Sequence, residues 1–144
     1  MSTPPKAAAE SRAAGRALPA RESPNVVALA IAGWLVPGAA HAMVGQFRKA
    51  GVLFVTLSFM FVFGIASGGR LFPFVPSDPL LFLAASAEWA LGLPRLVAML
   101  GGYGQGDVVA AAYEYGNTFL IVAGLLNTLV ILDAHDVAAG RKSA

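Results

Sequence analysis

Residues 33–51 read GWLVPGAAHAMVGQFRKAG, and this stretch decides the fold. It starts like the middle of an apolar helix, but Pro37 and Gly38 then interrupt the apolar run. Proline removes a backbone hydrogen-bond donor, and glycine lets the chain reverse tightly. We therefore interpret the stretch as the end of one helix and a turn into the next, marked by Pro37, Gly38, His41, Gly45 and Gly51.

The same stretch can also be read as the end of a cleaved signal peptide. Basic residues precede its apolar part, and Ala40-His41-Ala42 fits the A-x-A pattern of cleavage sites. However, the segment before the apolar part is longer than an ordinary leader, and the chain after Ala42 continues into another apolar segment. These two facts favour the turn between helices.

The composition is that of a membrane protein. Of the 144 residues, 57% are hydrophobic and only 12% are charged, whereas charged residues make up about 25% of ordinary soluble domains. The absence of cysteine excludes disulfides and thiol chemistry. No basic stripe with interleaved aromatic residues is present, so we expect no nucleic-acid partner.

Residues 1–24 form a basic, Ala- and Pro-rich tail that we expect to be disordered, and residues 25–140 form one helical membrane domain. Each apolar segment approaches the ~20 residues that a membrane-crossing helix needs. The sequence thus predicts an all-α integral membrane bundle of about four apolar helices, three or four of them spanning. The four segments are residues 25–44, 50–67, 79–100 and 116–132.

The distribution of Lys and Arg predicts the orientation. With four crossings, seven of these residues fall on the side of both termini and three, including Arg48 and Lys49, on the other. The positive-inside rule then predicts cytoplasmic N- and C-termini in a bacterial inner membrane. If the first segment only half-crosses the bilayer, Arg48 and Lys49 move to the inside and the number of spans falls to three.

Two motifs resemble a known family. Pro37-Gly38, His41 and Gly45 fit a PGxGHxxxGR-type turn, with Ala40 and Gln46 at two positions where the pattern has Gly and Arg. The AGLLN, LDA, Asp136 and GRK elements of residues 116–142 resemble the closing stretch of the same family. The family consists of uncharacterised small bacterial multi-pass membrane proteins, related in motif to the short two-transmembrane-helix domain. The resemblance implies the architecture and no activity.

His41 has three possible roles. It can cap a carbonyl group left free by Pro37, serve as a ligand of haem, chlorophyll or a metal, or handle protons, because imidazole changes charge near neutral pH. The structural role is favoured, so we expect no cofactor. Asp133, His135 and Asp136 are also metal-capable, but their spacing on a helix does not converge, so we expect them to meet water at the helix end.

Glu88 and Arg95 are the candidate intramembrane polar residues. They are seven positions apart and hence share one helix face if Pro94 does not bend the helix. Either they form an ion pair or Glu88 faces a cavity within the membrane, or the segment lies partly at the interface and Glu88 remains hydrated. The sequence does not decide between these alternatives.

Small and polar residues mark one side of the last apolar segment: Asn117, Gly124, Asn127 and Thr128. In a membrane such residues favour close helix packing and hydrogen bonds between helices. We expect a non-enzymatic structural or accessory protein whose partners are the lipid bilayer and other transmembrane helices, in itself or in a larger complex. The alternative is a cofactor-binding or ion-handling protein that uses His41 and Glu88.

Overall fold

The computed structural model describes residues 25–141, so the tail predicted for residues 1–24 lies outside the described residues. Within them the fold is all-helical, as predicted, and the only strand-like feature is one bridge between Arg70 and Gln105. The helices are α1 (Val26–Leu35), α2 (Ala39–Met43), α3 (Phe47–Ala66), α4 (Pro79–Trp89), α5 (Leu93–Leu100) and α6 (Tyr113–Ala138).

Two long helices, α3 and α6, form the frame of the molecule. They have 20 and 26 residues and are apolar enough to cross a membrane, with lengths of about 30 and 39 Å at 1.5 Å per residue. They are antiparallel, because Gly64 near the end of α3 lies against Leu120 near the start of α6. Most of the hydrophobic core lies along this contact, including Leu57, Phe61, Leu120 and Ala123.

The first apolar segment is a hairpin that starts at the end of α6. Leu29 of α1 packs with Ala134, and Gly33, one turn further on, lies against Ile131. The chain then reverses at Pro37 and Gly38, and α2 returns, with Ala40 packed on Leu29. Because α1 has only ten residues, about 15 Å of helix, the hairpin reaches roughly half the depth of a ~30 Å hydrocarbon core.

Gly38 makes the reversal possible. It has a positive φ of 84°, and a Cβ at this position would lie 2.6 Å from the carbonyl oxygen of Ala50 in α3. Gly45 also has a positive φ but has open space around it, and Gly51 lies inside α3 with no close neighbour. Gly38 therefore marks the reversal and the close approach, whereas the assignment of Gly51 to the turn is wrong because α3 already begins at Phe47.

The second hairpin, α4 and α5, starts from the opposite end of the frame. Asp78 caps α4 by accepting hydrogen bonds from the amides of Leu80 and Leu81, and Ala87 lies against Gly124, halfway along α6. The chain bends by 106° between α4 and α5. It then returns to its starting end, where the amide of Leu71 donates to the carbonyl oxygen of Gly104.

The two halves of the domain thus repeat one plan with opposite orientation. Each has a half-depth helix, a tip with a positive-φ glycine (Gly38 or Gly92), a shorter helix and a long helix. Ala32-Gly33-Trp34 precedes the first tip and Ala87-Glu88-Trp89 the second. Broken helices in inverted repeats are a known arrangement in membrane proteins, because protein buries their irregular backbone away from lipid.

This arrangement changes the predicted number of crossings. Two helices are long and apolar enough to cross a membrane, or three if α4 and α5 are counted as one bent span. The four apolar segments are all present, but α1 alone is too short to cross. Arg48 and Lys49 therefore lie at the end where α6 finishes, and the loop with Arg70 lies at the opposite end, in contrast to the four-crossing arrangement.

Single cysteines in this cysteine-free chain test the arrangement. We expect cysteines at Phe47 and Arg141 to react with a membrane-impermeant maleimide from one side, and those at Ser77 and Val109 from the other. These residues are all exposed. Two other arrangements give a different pattern: four crossings, or three crossings in which α4 and α5 form one span. In both, positions 47 and 109 would react from one side and positions 77 and 141 from the other, and this result would contradict the two-hairpin fold.

Candidate functional site

A buried polar junction joins the tips of the two hairpins. The side-chain amide of Asn127, at the middle of α6, donates to the carbonyl oxygen of Gly33 at 3.0 Å and to that of Ala90 at 2.8 Å. Asn127 is completely buried. Carbonyl groups at the ends of helices lack partners within the helix, so one side chain satisfies the C-terminal regions of both α1 and α4.

A tryptophan strengthens the same junction. The indole Nε1 of Trp34 donates to the carbonyl oxygen of Trp89 at 2.7 Å, which links the end of α1 directly to the end of α4. Gly92 and Gly124 permit this contact, since a Cβ at Gly92 would collide with the Trp34 carbonyl and one at Gly124 with the Ala87 carbonyl. Both positions need glycine because backbone lies against them.

A buried ion pair holds the second hairpin closed. A guanidinium nitrogen of Arg95 in α5 hydrogen-bonds the carboxylate of Glu88 in α4, and both side chains are at most 2% exposed. The loop before α4 completes the cluster: the Phe72 amide donates to Glu88 Oε2 at 2.8 Å, and the Phe72 carbonyl accepts from Arg95 at 2.7 Å. The Arg95 guanidinium also lies 5.2 Å from the ring centre of Trp89.

The loop is tied to α6 as well. Asn117, near the start of α6, accepts a hydrogen bond from the amide of Arg70 at 2.8 Å. Since Leu71 also bonds Gly104, the segment around residues 70–72 is held by α6, by Glu88 and Arg95, and by the glycine-rich loop after α5. The small and polar side of α6 therefore contacts other elements of the same chain.

Thr128 differs from the other small and polar residues on this side of α6. Its hydroxyl donates to the carbonyl oxygen of Gly124 in its own helix at 3.2 Å, so it joins no second element through that bond. Of the four residues that we assigned to helix packing, Asn117, Gly124 and Asn127 contact other parts of the chain. Packing against a helix of another molecule is therefore not required to satisfy them.

A second polar contact lies nearer the end of α6. His41 Nε2 is 3.0 Å from Asp133 Oδ2, and this contact joins α2 to α6. The His41 side chain is 1% exposed, whereas that of Asp133 is 30% exposed. Asp133 was expected to meet only water, and no local pattern predicted its pairing with a residue 92 positions earlier. His135 and Asp136 lie at the helix end as expected, both partly exposed.

The surroundings of His41 do not fit an axial ligand of haem or chlorophyll. Its Nε2 is engaged by Asp133, and its Nδ1 is buried, with no partner between Asn25 and Arg141. Within the same residues, no group of three or more His, Cys, Asp or Glu side chains could hold a metal ion. His41 and Glu88 also have separate partners on separate hairpins, so the structure does not unite them in one site.

The chain also matches the model of a known family. The model of a family of unknown function, DUF6677, matches residues 28–143. The chain belongs to this family. The match covers both hairpins and both long helices, and it agrees with the expectation of an uncharacterised family, while the kinship with the short two-transmembrane-helix domain stays a prediction. No curated protein and no solved structure matches the chain.

Replacing Asn127 by Leu tests the junction. The substitution keeps a similar volume but leaves two buried carbonyl groups without donors, so we expect the free energy of unfolding to fall by about 1–3 kcal/mol. Intrinsic fluorescence during SDS titration from mixed micelles measures this, because the two tryptophans of the chain, Trp34 and Trp89, both lie at the junction. Thr128→Val is the control and should change the unfolding free energy little; equal losses in both variants would contradict the assignment.

The ion pair is tested by a double-mutant cycle. Arg95→Met leaves the Glu88 carboxylate buried without its cation, and we expect a loss of about 3–5 kcal/mol in unfolding free energy. The double variant Glu88→Leu/Arg95→Met removes both charges and should regain most of that loss, as measured by the same titration. If the single variant is as stable as the wild type, Glu88 is not held by this pair.

Proposed function

We propose that this chain is a non-enzymatic accessory protein of the membrane, which acts by packing as a rigid helical unit against other transmembrane helices. One observation carries the proposal: the polar side chains inside the apolar segments are used to hold the fold together. Asn117, Asn127, Glu88 and Arg95 all bond backbone groups of other elements of the chain. Such side chains stabilise a shape, and that shape presents apolar surface to its surroundings.

A lateral groove forms part of this apolar surface. It has a volume of about 700 Å³ and lies between the outer face of α3, the tip of the first hairpin and α5. Its walls are almost wholly apolar. Among the residues that line it are Phe54, Ser58, Val62, Leu93 and Val97. A groove with small residues such as Ser58 between larger ones suits the ridge of side chains on a neighbouring helix.

The charges support a cytoplasmic location for the N- and C-termini. Of the ten Lys and Arg residues, Arg70 lies at the end where α6 begins and Arg95 is buried. Arg48, Lys49 and Arg141 lie at the opposite end, and the other five precede Asn25 or follow Arg141 in the sequence. By the positive-inside rule that end faces the cytoplasm of a bacterial cell. In the two-hairpin fold Arg48 and Lys49 lie at the same end as Arg141, so their charges support this orientation.

A cofactor-binding or ion-handling role through His41 and Glu88 is the second candidate, although a cofactor could bind His41 Nε2 only if its contact with Asp133 opened. The observation in its favour is that one polar atom of each side chain, His41 Nδ1 and Glu88 Oε1, is buried without a partner among residues 25–141. Absorption and metal analysis of the purified protein test it. A bound chromophore or metal that is lost in His41→Ala would favour this role over the accessory one.

The accessory role is tested by filling the lateral groove. Val62 lines the groove and is 64% exposed, so Val62→Trp should fold normally yet prevent a partner helix from seating there. After extraction with native lipids into polymer-bounded lipid discs, the mass of protein in each particle, as distinct from lipid and polymer, is measured by light scattering combined with ultraviolet absorbance. We expect the wild type to exceed the mass of a single 14.8 kDa chain and the variant to fall to it.

The matched control is Leu125→Trp, which introduces the same side chain at a position on α6 that is 52% exposed and lies outside the groove. It should leave the particle mass unchanged. If the wild type already has the mass of one chain in its native lipids, the accessory role is wrong. If both variants reduce the mass equally, the groove is not the contact surface.

A further inference from the structure

A second cavity, separate from the lateral groove, opens between α2, α3 and α6 near the end where α6 finishes. Its volume is about 700 Å³. Four charged or titratable side chains line it, together with aliphatic walls from the two long helices. We call it the basic cavity, and its lining residues are His41, Arg48, Lys49, Val52, Leu53, Leu126, Leu129, Val130 and Asp133.

The two cations of the basic cavity have no anionic partner in the described part of the chain. Neither Arg48 nor Lys49 takes part in any ion pair formed between Asn25 and Arg141. Both are exposed. In contrast, Arg95 is paired with Glu88, and Arg141 Nη1 lies 3.4 Å from Asp136 Oδ1. The cavity therefore holds two neighbouring positive charges that the fold itself does not use.

The start of α3 adds to this positive potential. Arg48 and Lys49 belong to its first turn, and the residue before the helix, Gln46, makes no capping hydrogen bond with its side chain. The first amides of a helix lack partners within the helix, and the helix dipole places partial positive charge at this end. A negatively charged group in the cavity would meet side-chain cations and the helix N-terminus together.

Asp133 is the one carboxylate in the cavity lining, and the fold directs it at His41. Its Oδ2 is 3.0 Å from His41 Nε2, so a hydrogen bond already takes up part of its charge. The other His41 nitrogen, Nδ1, has no partner between Asn25 and Arg141. The basic cavity is therefore net positive, because it has two cations, Arg48 and Lys49, and one carboxylate, Asp133, which is hydrogen-bonded to His41.

The walls of the basic cavity decide what kind of anion suits it. Below the charged mouth the lining is aliphatic, from Val52 and Leu53 on α3 and from Leu126, Leu129 and Val130 on α6. A free anion gains nothing from such walls, whereas an amphiphile places its head at the cations and its chain along them. Basic pockets between transmembrane helices on the cytoplasmic side bind anionic lipid head groups for this reason.

From this geometry we infer that the basic cavity binds the phosphate head group of an anionic membrane lipid, with one acyl chain along the wall formed by α3 and α6. Arg48 and Lys49 contact the phosphate, and His41, oriented by Asp133, borders the head group. The inference does not depend on the accessory role, because the lateral groove and the basic cavity share no lining residue.

Native mass spectrometry of the full chain in a neutral detergent tests this inference. Phosphatidylglycerol and phosphatidylcholine with the same acyl chains are added separately, and the fraction of protein carrying one lipid is measured. We expect the wild type to retain phosphatidylglycerol with at least about tenfold preference, since each cation near the head group contributes to the attraction. Equal retention of the two lipids would overturn the inference.

Two sets of variants separate this site from a general charge effect. Arg48→Gln/Lys49→Gln should reduce the preference to that of a neutral lipid. The control Arg70→Gln/Arg141→Gln removes the same charge from exposed positions outside the cavity and should leave the preference intact. Unfolding midpoints equal to that of the wild type establish that the variants are folded. A loss of preference in the control as large as that in the cavity variant would contradict the site.

Free phosphate is the other source of the same chemistry. Leu129 lines the basic cavity and is 60% exposed, so Leu129→Trp should fill the wall without disturbing the core. If the occupant is a lipid, this variant loses phosphatidylglycerol, and millimolar inorganic phosphate does not displace the lipid from the wild type. The assignment to a lipid is wrong if inorganic phosphate displaces phosphatidylglycerol from the wild type. It is also wrong if Leu129→Trp binds phosphatidylglycerol as well as the wild type does.

Discussion

The side-chain amide of Asn127 is the contact on which the fold depends. Two half-depth helices enter the domain from opposite ends, and each stops near the middle of α6, where its last carbonyl groups have lost their helical partners. In a hydrocarbon environment no water can satisfy such groups, so a carbonyl group left without a donor destabilises the fold. By donating to both Gly33 and Ala90, Asn127 satisfies one carbonyl from each hairpin and brings the two tips together.

The other buried polar contacts satisfy further polar groups around the junction of the two hairpin tips. Trp34 bonds Trp89 across the tips, Glu88 and Arg95 hold the second hairpin and its preceding loop, and His41 of the first hairpin bonds Asp133 of α6. The inverted repetition of half helix, tip, short helix and long helix explains why a chain of 144 residues needs so many of these contacts. Each hairpin adds irregular backbone that must be covered by the chain itself.

Much of this architecture could be predicted from composition and periodicity. The all-helical fold, the long apolar segments α3 and α6 and the helix-breaking loop before α4 follow from hydrophobicity and from the positions of Pro and Gly. The depth of the hairpins could not, because a 20-residue apolar segment and a broken segment of equal length have the same hydropathy, so the half-crossing of the first segment was only one alternative. Pro37-Gly38 marked the turn, and the hydrogen bond between Gly33 and Asn127, 94 positions later, places the tip of the hairpin at the middle of α6.

For the polar residues, too, the sequence predicts which residues matter but not which partners they have. The sequence assigned Asn117, Gly124 and Asn127 to helix packing, and in the structure these residues contact other elements of the same chain. The seven-residue spacing of Glu88 and Arg95 made their ion pair one of the alternatives. Their partners lie on distant parts of the chain, as does Asp133 for His41, and no local pattern encodes such pairings. For the same reason the basic cavity could not be predicted, since the four-crossing arrangement placed Arg48 and Lys49 on the side opposite to the C-terminus, whereas in the structure they lie near Asp133 at the end of α6.

The most direct test of the account is the distance between the Asn127 amide and the two hairpin tips. Solid-state NMR of the protein in lipid, with ¹⁵N-labelled asparagine and ¹³C-carbonyl-labelled glycine and alanine, measures it through space. If the two hairpins meet at α6, the Asn127 side-chain nitrogen gives cross-peaks to the carbonyl carbons of both Gly33 and Ala90, and these cross-peaks vanish in Asn127→Leu. A cross-peak to only one of them, or to neither, would contradict the meeting of the two hairpins at α6.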